Sequence, residues 1–187
     1  MSVFTQYSHG QFNWVDLNSH NMQEAIQFYG ELFGWTCDAQ DTEGGPPYGI
    51  FMLVENIVVG IGEMDEEMKS SGMPPFWNSY ISVDDIEATA SKVTELGGNV
   101  VVPVMDVMDA GKMAFIQEPS GAICALWQKG THFGASLCND VNTFCWNELT
   151  TRETQKAKDF FLAFSSGLIR TTSNRPRNTT SSRTMTA

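Results

Sequence analysis

Polar and apolar residues alternate from Phe12 to Leu17 as they do in a half-buried strand, and then the period lengthens. Behind Asn21, a capping residue, Ala25, Phe28, Tyr29, Leu32 and Phe33 recur at helical spacing and predict a helix with these residues inward, ended by Gly34. Three short strands follow at Trp35 to Asp38, Tyr48 to Val54 and Ile57 to Gly62, separated by the turn-forming GGPP and by Glu55-Asn56. After a Met-, Gly- and Pro-punctuated linker from Glu63 to Pro75, whose acidic run reads as solvated, the same order returns. A strand at Trp77 to Val83 leads to a helix capped by Asp84 and running to Leu96, with Ala88, Val93 and Leu96 inward and Gly97-Gly98 as its stop. Strands at Asn99 to Pro103, Met113 to Glu118 and Ala122 to Gln128 complete it, the last two joined by Pro119-Ser120-Gly121. Each unit is βαβββ, and a sheet that is apolar on one face needs one covering layer. The pattern therefore predicts an α+β fold: paired modules, 10–63 and 76–128, forming an open, curved mixed sheet around a cleft with the helices outside.

A second period runs through the chain. FNWVDLNSHNMQEAIQF, beginning at Phe12, returns as FCWNELTTRETQKAKDF beginning at Phe144, a constant offset of 132 (144 − 12). Phe12, Trp14, Leu17, Gln23, Ala25 and Phe28 match Phe144, Trp146, Leu149, Gln155, Ala157 and Phe160. Two of the matched residues are phenylalanines and one is a tryptophan, which a generic strand and helix would not reproduce, so a second domain is starting. The expected organisation is one domain at 8–130, a linker at 131–143, the start of a second domain at 144–164, and a tail at 165–187. In that tail the strand period and the apolar content are both lost. The tail is expected to be disordered or frame-shifted, a natural short tail being the alternative. An incomplete second unit exposes an apolar face and a sheet edge. It predicts either a homodimer or a strand-and-helix hairpin docked on its own first domain.

Composition narrows the function. The 187 residues carry 42% apolar residues and 12 Phe, enough for a real core. The formal charge of −11 argues against nucleic acid, because phosphate binding needs a basic face that releases counterions. No apolar run reaches membrane-spanning length, and MSVFTQYSHG lacks the basic and apolar regions of a secretory signal. No membrane partner and a cytoplasmic location are expected. Cys37, Cys124, Cys138 and Cys145 form no C-x-x-C pair and read as reduced thiols.

WVDLNSHNMQEAIQFYGELFGW, YISVDDIEATASKVTELGGNV and MDAGKMAFIQEPSGAICALWQKG together resemble the glyoxalase, bleomycin-resistance and extradiol-dioxygenase superfamily, also called vicinal oxygen chelate proteins. The resemblance covers about Gly10 to Gly130. It is nearest to a lyase-like branch that carries two such domains in tandem. It implies a divalent ion held by His, Glu or Gln at one cavity-facing position in the first and last strand of each module, where the ion polarises a substrate's vicinal oxygens. Those positions fall here on Trp14, Gly60, Asn78 and Ala125, and a slip of register at Gly60 would bring in Ile61 or Glu63. None of the four is a usual ligand. His9 precedes the first strand, His20 starts the helix and His132 falls in the linker, so none supplies the missing donors. No metal and no cofactor are expected.

What replaces the ion should define the site. Alternation sets Trp14, Asp16 and Asn18 on the cleft side of the first strand, Asn78, Tyr80 and Ser82 on the fifth, and Ile123, Ala125 and Trp127 on the eighth. Aromatic walls with a few polar groups are the make-up of a small-molecule pocket, and Trp14, Asp16, Asn78, Tyr80 and Trp127 are the expected binding residues. No residue is singled out as catalytic, although Asp16 beside indole and phenol could bind a cation or act as a base. Two functions stay open. One is a metal-free protein that binds a small cationic or planar molecule; the other is a glyoxalase-related, lyase- or isomerase-like enzyme acting on a small oxygenated substrate, either with a metal or with Asp16 or Tyr80 transferring the proton without one.

Overall fold

In the computed structural model, which describes residues 3–40, 42 and 45–164, the two modules share one eight-stranded sheet. The first consists of β1 (Phe12–Ser19), α1 (Met22–Phe33), β2 (Thr36–Gln40), β3 (Tyr48–Leu53) and β4 (Asn56–Glu63). A short helix, α2 (Glu66–Ser70), sits between the modules. The second consists of β5 (Phe76–Ser82), α3 (Ile86–Glu95), β6 (Asn99–Val107), β7 (Gly111–Gln117) and β8 (Ile123–Lys129), and α4 (Thr154–Phe164) ends the described chain. Strand order is β2-β3-β4-β1-β5-β8-β7-β6. β1 and β5 meet antiparallel at the centre, while β1 runs parallel to β4 and β5 parallel to β8. The register is itself repeated: Asp16 opposes Gly60 in the first module as Tyr80 opposes Ala125 in the second. The sheet is mixed, as the alternation predicts.

Alternation along β1 and β5 decides which residues meet which layer. Val15 and Leu17 join Phe51, Val59 and Ile61 beneath α1. Ile81 joins Ile86, Val93, Ile116 and Leu126 beneath α3. The opposite face collects Trp14, Tyr80, Ala125 and Trp127. α1 is capped by the Asn21 side chain, which accepts from the backbone N–H of Glu24, and it stops at Gly34 with φ of 73°.

Several details differ from the sequence pattern. The cap of α3 is Asp85, not Asp84, because Ile86 is the first fully buried side chain and the helix starts there. Ile86, Thr89, Ala90 and Val93 share the inward face at i, i+3, i+4 and i+7, which leaves Ala88 outward. On α1, Ala25, Tyr29 and Phe33, four apart, pack inward, whereas Phe28 and Leu32, on the neighbouring stripe, are 57% and 55% exposed. Trp35 lies before β2 rather than in it, buried with its indole N–H on the carbonyl of Asn142.

Residues 131–143, expected as a linker, run along the sheet. Ala135 donates to the carbonyl of Asn13 and Ser136 to that of Ile57, and Ala135, Leu137 and Cys138 are buried. Residues 144–150 form no strand. A strand needs a ladder partner, and here Phe144 packs against the α1 layer while the Asn147 side chain accepts from the Ser79 hydroxyl. α4 docks on α3, burying Ala157 and Phe160. Residues 165–187, and with them the expectation of a disordered or frame-shifted tail, lie outside the described residues.

Candidate functional site

Asp16 stands at the middle of the sheet, its neighbours across the ladders being Gly60 on one side and Asn78 on the other. The central antiparallel register puts Asn78 and Tyr80 within reach of its carboxylate, so the sheet alone builds half the site. The Asn78 amide donates to Oδ1 at 2.8 Å and the Tyr80 hydroxyl to Oδ2 at 2.8 Å. A third donor comes from β3: the Tyr48 hydroxyl reaches Oδ2 at 3.2 Å and itself accepts from the Trp14 indole N–H at 3.2 Å. Burial pushes the Asp16 carboxyl above its ordinary value, and the three donors, Asn78, Tyr80 and Tyr48, pull the other way without cancelling it. Burial, followed by the nearby Asp16 charge, raises the Tyr80 and Tyr48 phenols well above theirs. The result is a carboxylate with its oxygens already engaged and its donors held protonated.

Around this network lies an aromatic wall. Tyr80 and Trp127 meet edge to face with centroids 6.3 Å apart, and Tyr80 meets Phe115 at 6.1 Å. The His132 ring stands edge-on to Trp14 at 4.6 Å and to Trp127 at 5.7 Å, and the Trp127 indole N–H donates to the carbonyl of His132. Burial lowers the His132 pKa to about 4, so at neutral pH the ring is an uncharged plate against two indoles.

The five residues proposed from sequence, Trp14, Asp16, Asn78, Tyr80 and Trp127, thus lie on one face. Asp16, Asn78 and Tyr80 are joined directly; Trp14 is joined through Tyr48, and Trp127 through ring contact with Tyr80. All are buried, the least so Asn78 at 7% exposure; His132 lies against Trp14 and Trp127, and Ala135 packs in the same cluster. Of their expected companions, Ser82 is buried and Ile123 is 55% exposed. Sequence reasoning missed Tyr48 and His132. A glycine at 60, on the strand beside an aromatic-bearing one, was a faint signal for Tyr48, since a missing side chain makes room for a diagonal neighbour. Nothing local marked His132.

The sequence model of the Glyoxalase/Bleomycin resistance protein/Dioxygenase superfamily matches residues 11–125. The chain belongs to this superfamily. Among its relatives is the Mycobacterium tuberculosis protein named "Putative glyoxylase CFP32", 42% identical over 160 residues, which are 85% of this chain and 61% of that protein. Another is the anthracycline biosynthesis protein DnrV of Streptomyces peucetius, 31% identical over 169 residues, 85% of this chain and 62% of that one. The chain therefore spans about three-fifths of the length of the curated relatives it matches. Among solved structures, methylmalonyl-CoA epimerase from Streptomyces coelicolor superposes with a TM-score of 0.52 at 13% identity, covering 68% of this chain and 99% of that one. A hypothetical protein of Bacillus halodurans gives 0.52 at 16%, covering 65% and 96%. At these identities the superpositions establish the fold.

The superfamily's divalent ion can be tested against these residues. At Gly60 a Cβ would overlap the Tyr48 hydroxyl and come within 2.9 Å of the Asp16 Cβ, so the place of a ligand side chain on β4 is filled by phenol. Ala125 offers a methyl group, Trp14 an indole, and Asn78 has turned its amide N–H to Asp16. Among the described residues no group of three or more His, Cys, Asp or Glu side chains converges. A lone carboxylate already accepting three hydrogen bonds does not make a transition-metal site, and the residues do not fit the ion. Among the described residues no helix is long and apolar enough to cross a membrane.

Proposed function

We propose that this chain is a metal-free small-molecule-binding protein of the superfamily, working in the cytoplasm, and that its ligand is planar. One observation supports the reading: the uncharged imidazole of His132 stands edge-on to both Trp14 and Trp127, and a planar ligand ring that displaced it would meet the same two indoles. A ligand ring of that kind gains aromatic contact and apolar burial in exchange for those of His132. If the ligand carries a cation, Asp16 meets it only by giving up one of the hydrogen bonds it accepts from Asn78, Tyr80 and Tyr48. Four free cysteines agree with a reducing compartment. An anthracycline is a planar polycyclic molecule, so the name borne by the Streptomyces relative is consistent with such a ligand.

The test is a thermal-shift and tryptophan-fluorescence titration with planar aromatic compounds, neutral and cationic. Binding should weaken about tenfold or more in Trp127→Ala and strengthen about tenfold in His132→Ala, which clears the wall. Indifference of both variants to every ligand that shifts the wild type would sink the assignment. Saturable nickel or zinc binding lost in Asp16→Asn would sink its metal-free part.

A second reading, a lyase- or isomerase-like enzyme, is favoured by the raised pKa of Asp16 next to two phenols, which suits proton transfer. Turnover of methylglyoxal with a thiol, abolished in Asp16→Asn, would decide for it.

A further inference from the structure

We propose that the exposed flank of α1 centred on Phe28 is a docking surface for a second copy of this chain, and that what it grips is the notch at the C-terminal end of that copy's α3.

The repeat identifies the partner. α4 is the sequence copy of α1 at the offset of 132, so Phe160 stands for Phe28. The structure shows what this helix does with that phenylalanine when a suitable surface is at hand. Phe160 is 3% exposed and packs with Val93 and Ile116, with Leu96 alongside. Its ring lies 3.0 Å from where a Cβ on Gly98 would be, so the glycine after α3 is the floor of the notch. At its edge the Lys92 ammonium donates to the carbonyl of Ala163. Phe28 has no such burial: it is 57% exposed, and Leu32, one turn on, is 55% exposed, on a helix whose opposite side already covers its own sheet. An exposed aromatic-aliphatic ridge on a helix matches the notch that already accepts the same side chain from the same helical repeat.

Charge at the rim agrees at one end and opposes at the other. Glu31 stands where Ala163 does (163 − 132 = 31), which would bring a carboxylate to the Lys92 ammonium of the second copy. Glu24 stands where Lys156 does (156 − 132 = 24). Lys156, ion-paired with Glu153 at 3.0 Å, lines the same hollow as Pro119, next in sequence to Glu118, and a glutamate in its place would bring like charge toward Glu118. Within one chain α4 therefore holds the notch against α1, and the dimer forms when α4 yields. Exchange on both sides gives a closed twofold pair in which each α1 enters the other copy's notch.

Sedimentation equilibrium of the full chain over a wide concentration range tests this with three variants. Phe160→Glu empties the notch and should tighten self-association about tenfold or more, and adding Phe28→Glu to it should return the protein to monomer. Glu24→Lys, which leaves Phe160 and the notch untouched, should tighten association by itself, about threefold to tenfold, with native near-UV circular dichroism as the check on folding. The proposal is overturned if association of the Phe160→Glu variant is indifferent to Phe28→Glu, or if Phe160→Glu stays monomeric while natively folded. It is also overturned if Phe160→Glu fails to fold and Glu24→Lys leaves association unchanged.

Discussion

At the scale of single residues, the covered face depends on two groups whose protonation opposes each other. His132 is held neutral in the fold, with a pKa near 4 against an ordinary 6.5. A depressed base stabilises the fold fully above its unfolded value, and that contribution is lost as pH falls from about 6.5 toward 4, up to about 3 kcal/mol in the limit of complete burial. His132→Phe keeps a flat ring and removes the titration, so its melting temperature should fall less than that of the wild type across the same interval. Asp16 works with the other sign. Its raised folded value means that stability is highest below the ordinary carboxyl range and declines as pH rises through the folded value. Asp16→Asn should flatten that decline in urea titrations repeated at several pH values; an unchanged slope would show that Asp16 is not the group responsible. Gly60 makes the third residue-scale case. A methyl there meets the Tyr48 hydroxyl, and Gly60→Ala should cost about 1–3 kcal/mol of stability through overpacking, read from denaturant midpoints.

At the scale of elements, one position decides where α3 begins. The Asp85 side chain accepts from the backbone N–H of Ala88, so Asp85→Ala should cost about 1 kcal/mol, while Asp84→Ala, whose carboxylate caps nothing, should cost much less. Thermal melts of the pair separate them. The sequence pattern put the cap at Asp84, one residue early, because what settles the start of the helix is the burial of Ile86 against the sheet. α4 is marginal in a different way. It is attached to the domain through Ala157 and Phe160, so Phe160→Ala should release the helix and abolish amide protection along it in hydrogen exchange, leaving the sheet's protection intact. The strand expected before it is absent for a reason of partnership: Phe144 to Thr150 alternates well enough, but no neighbouring edge pairs with it.

At the scale of the whole molecule, two modules share one sheet about a pseudo-twofold at the β1–β5 ladder, and this puts Asp16 of one beside Asn78 and Tyr80 of the other. A planar ligand that replaces His132 should raise the melting temperature with its concentration, by mass action, and quench tryptophan emission in parallel.

The βαβββ order, the two modules, the face shared by Trp14, Asp16, Tyr80 and Trp127, and the repeat of α1 in α4 were all set by sequence, because each rests on the period of apolar residues or on identity at a constant spacing. Only tertiary structure decided that Tyr48 fills the place opposite Gly60, that a stretch read as a linker lays His132 across the aromatic wall, and that α4 finds the notch at Gly98. Those are contacts between residues far apart in the chain, set by sheet register and by the space that glycines leave open, and neither quantity is written in local order.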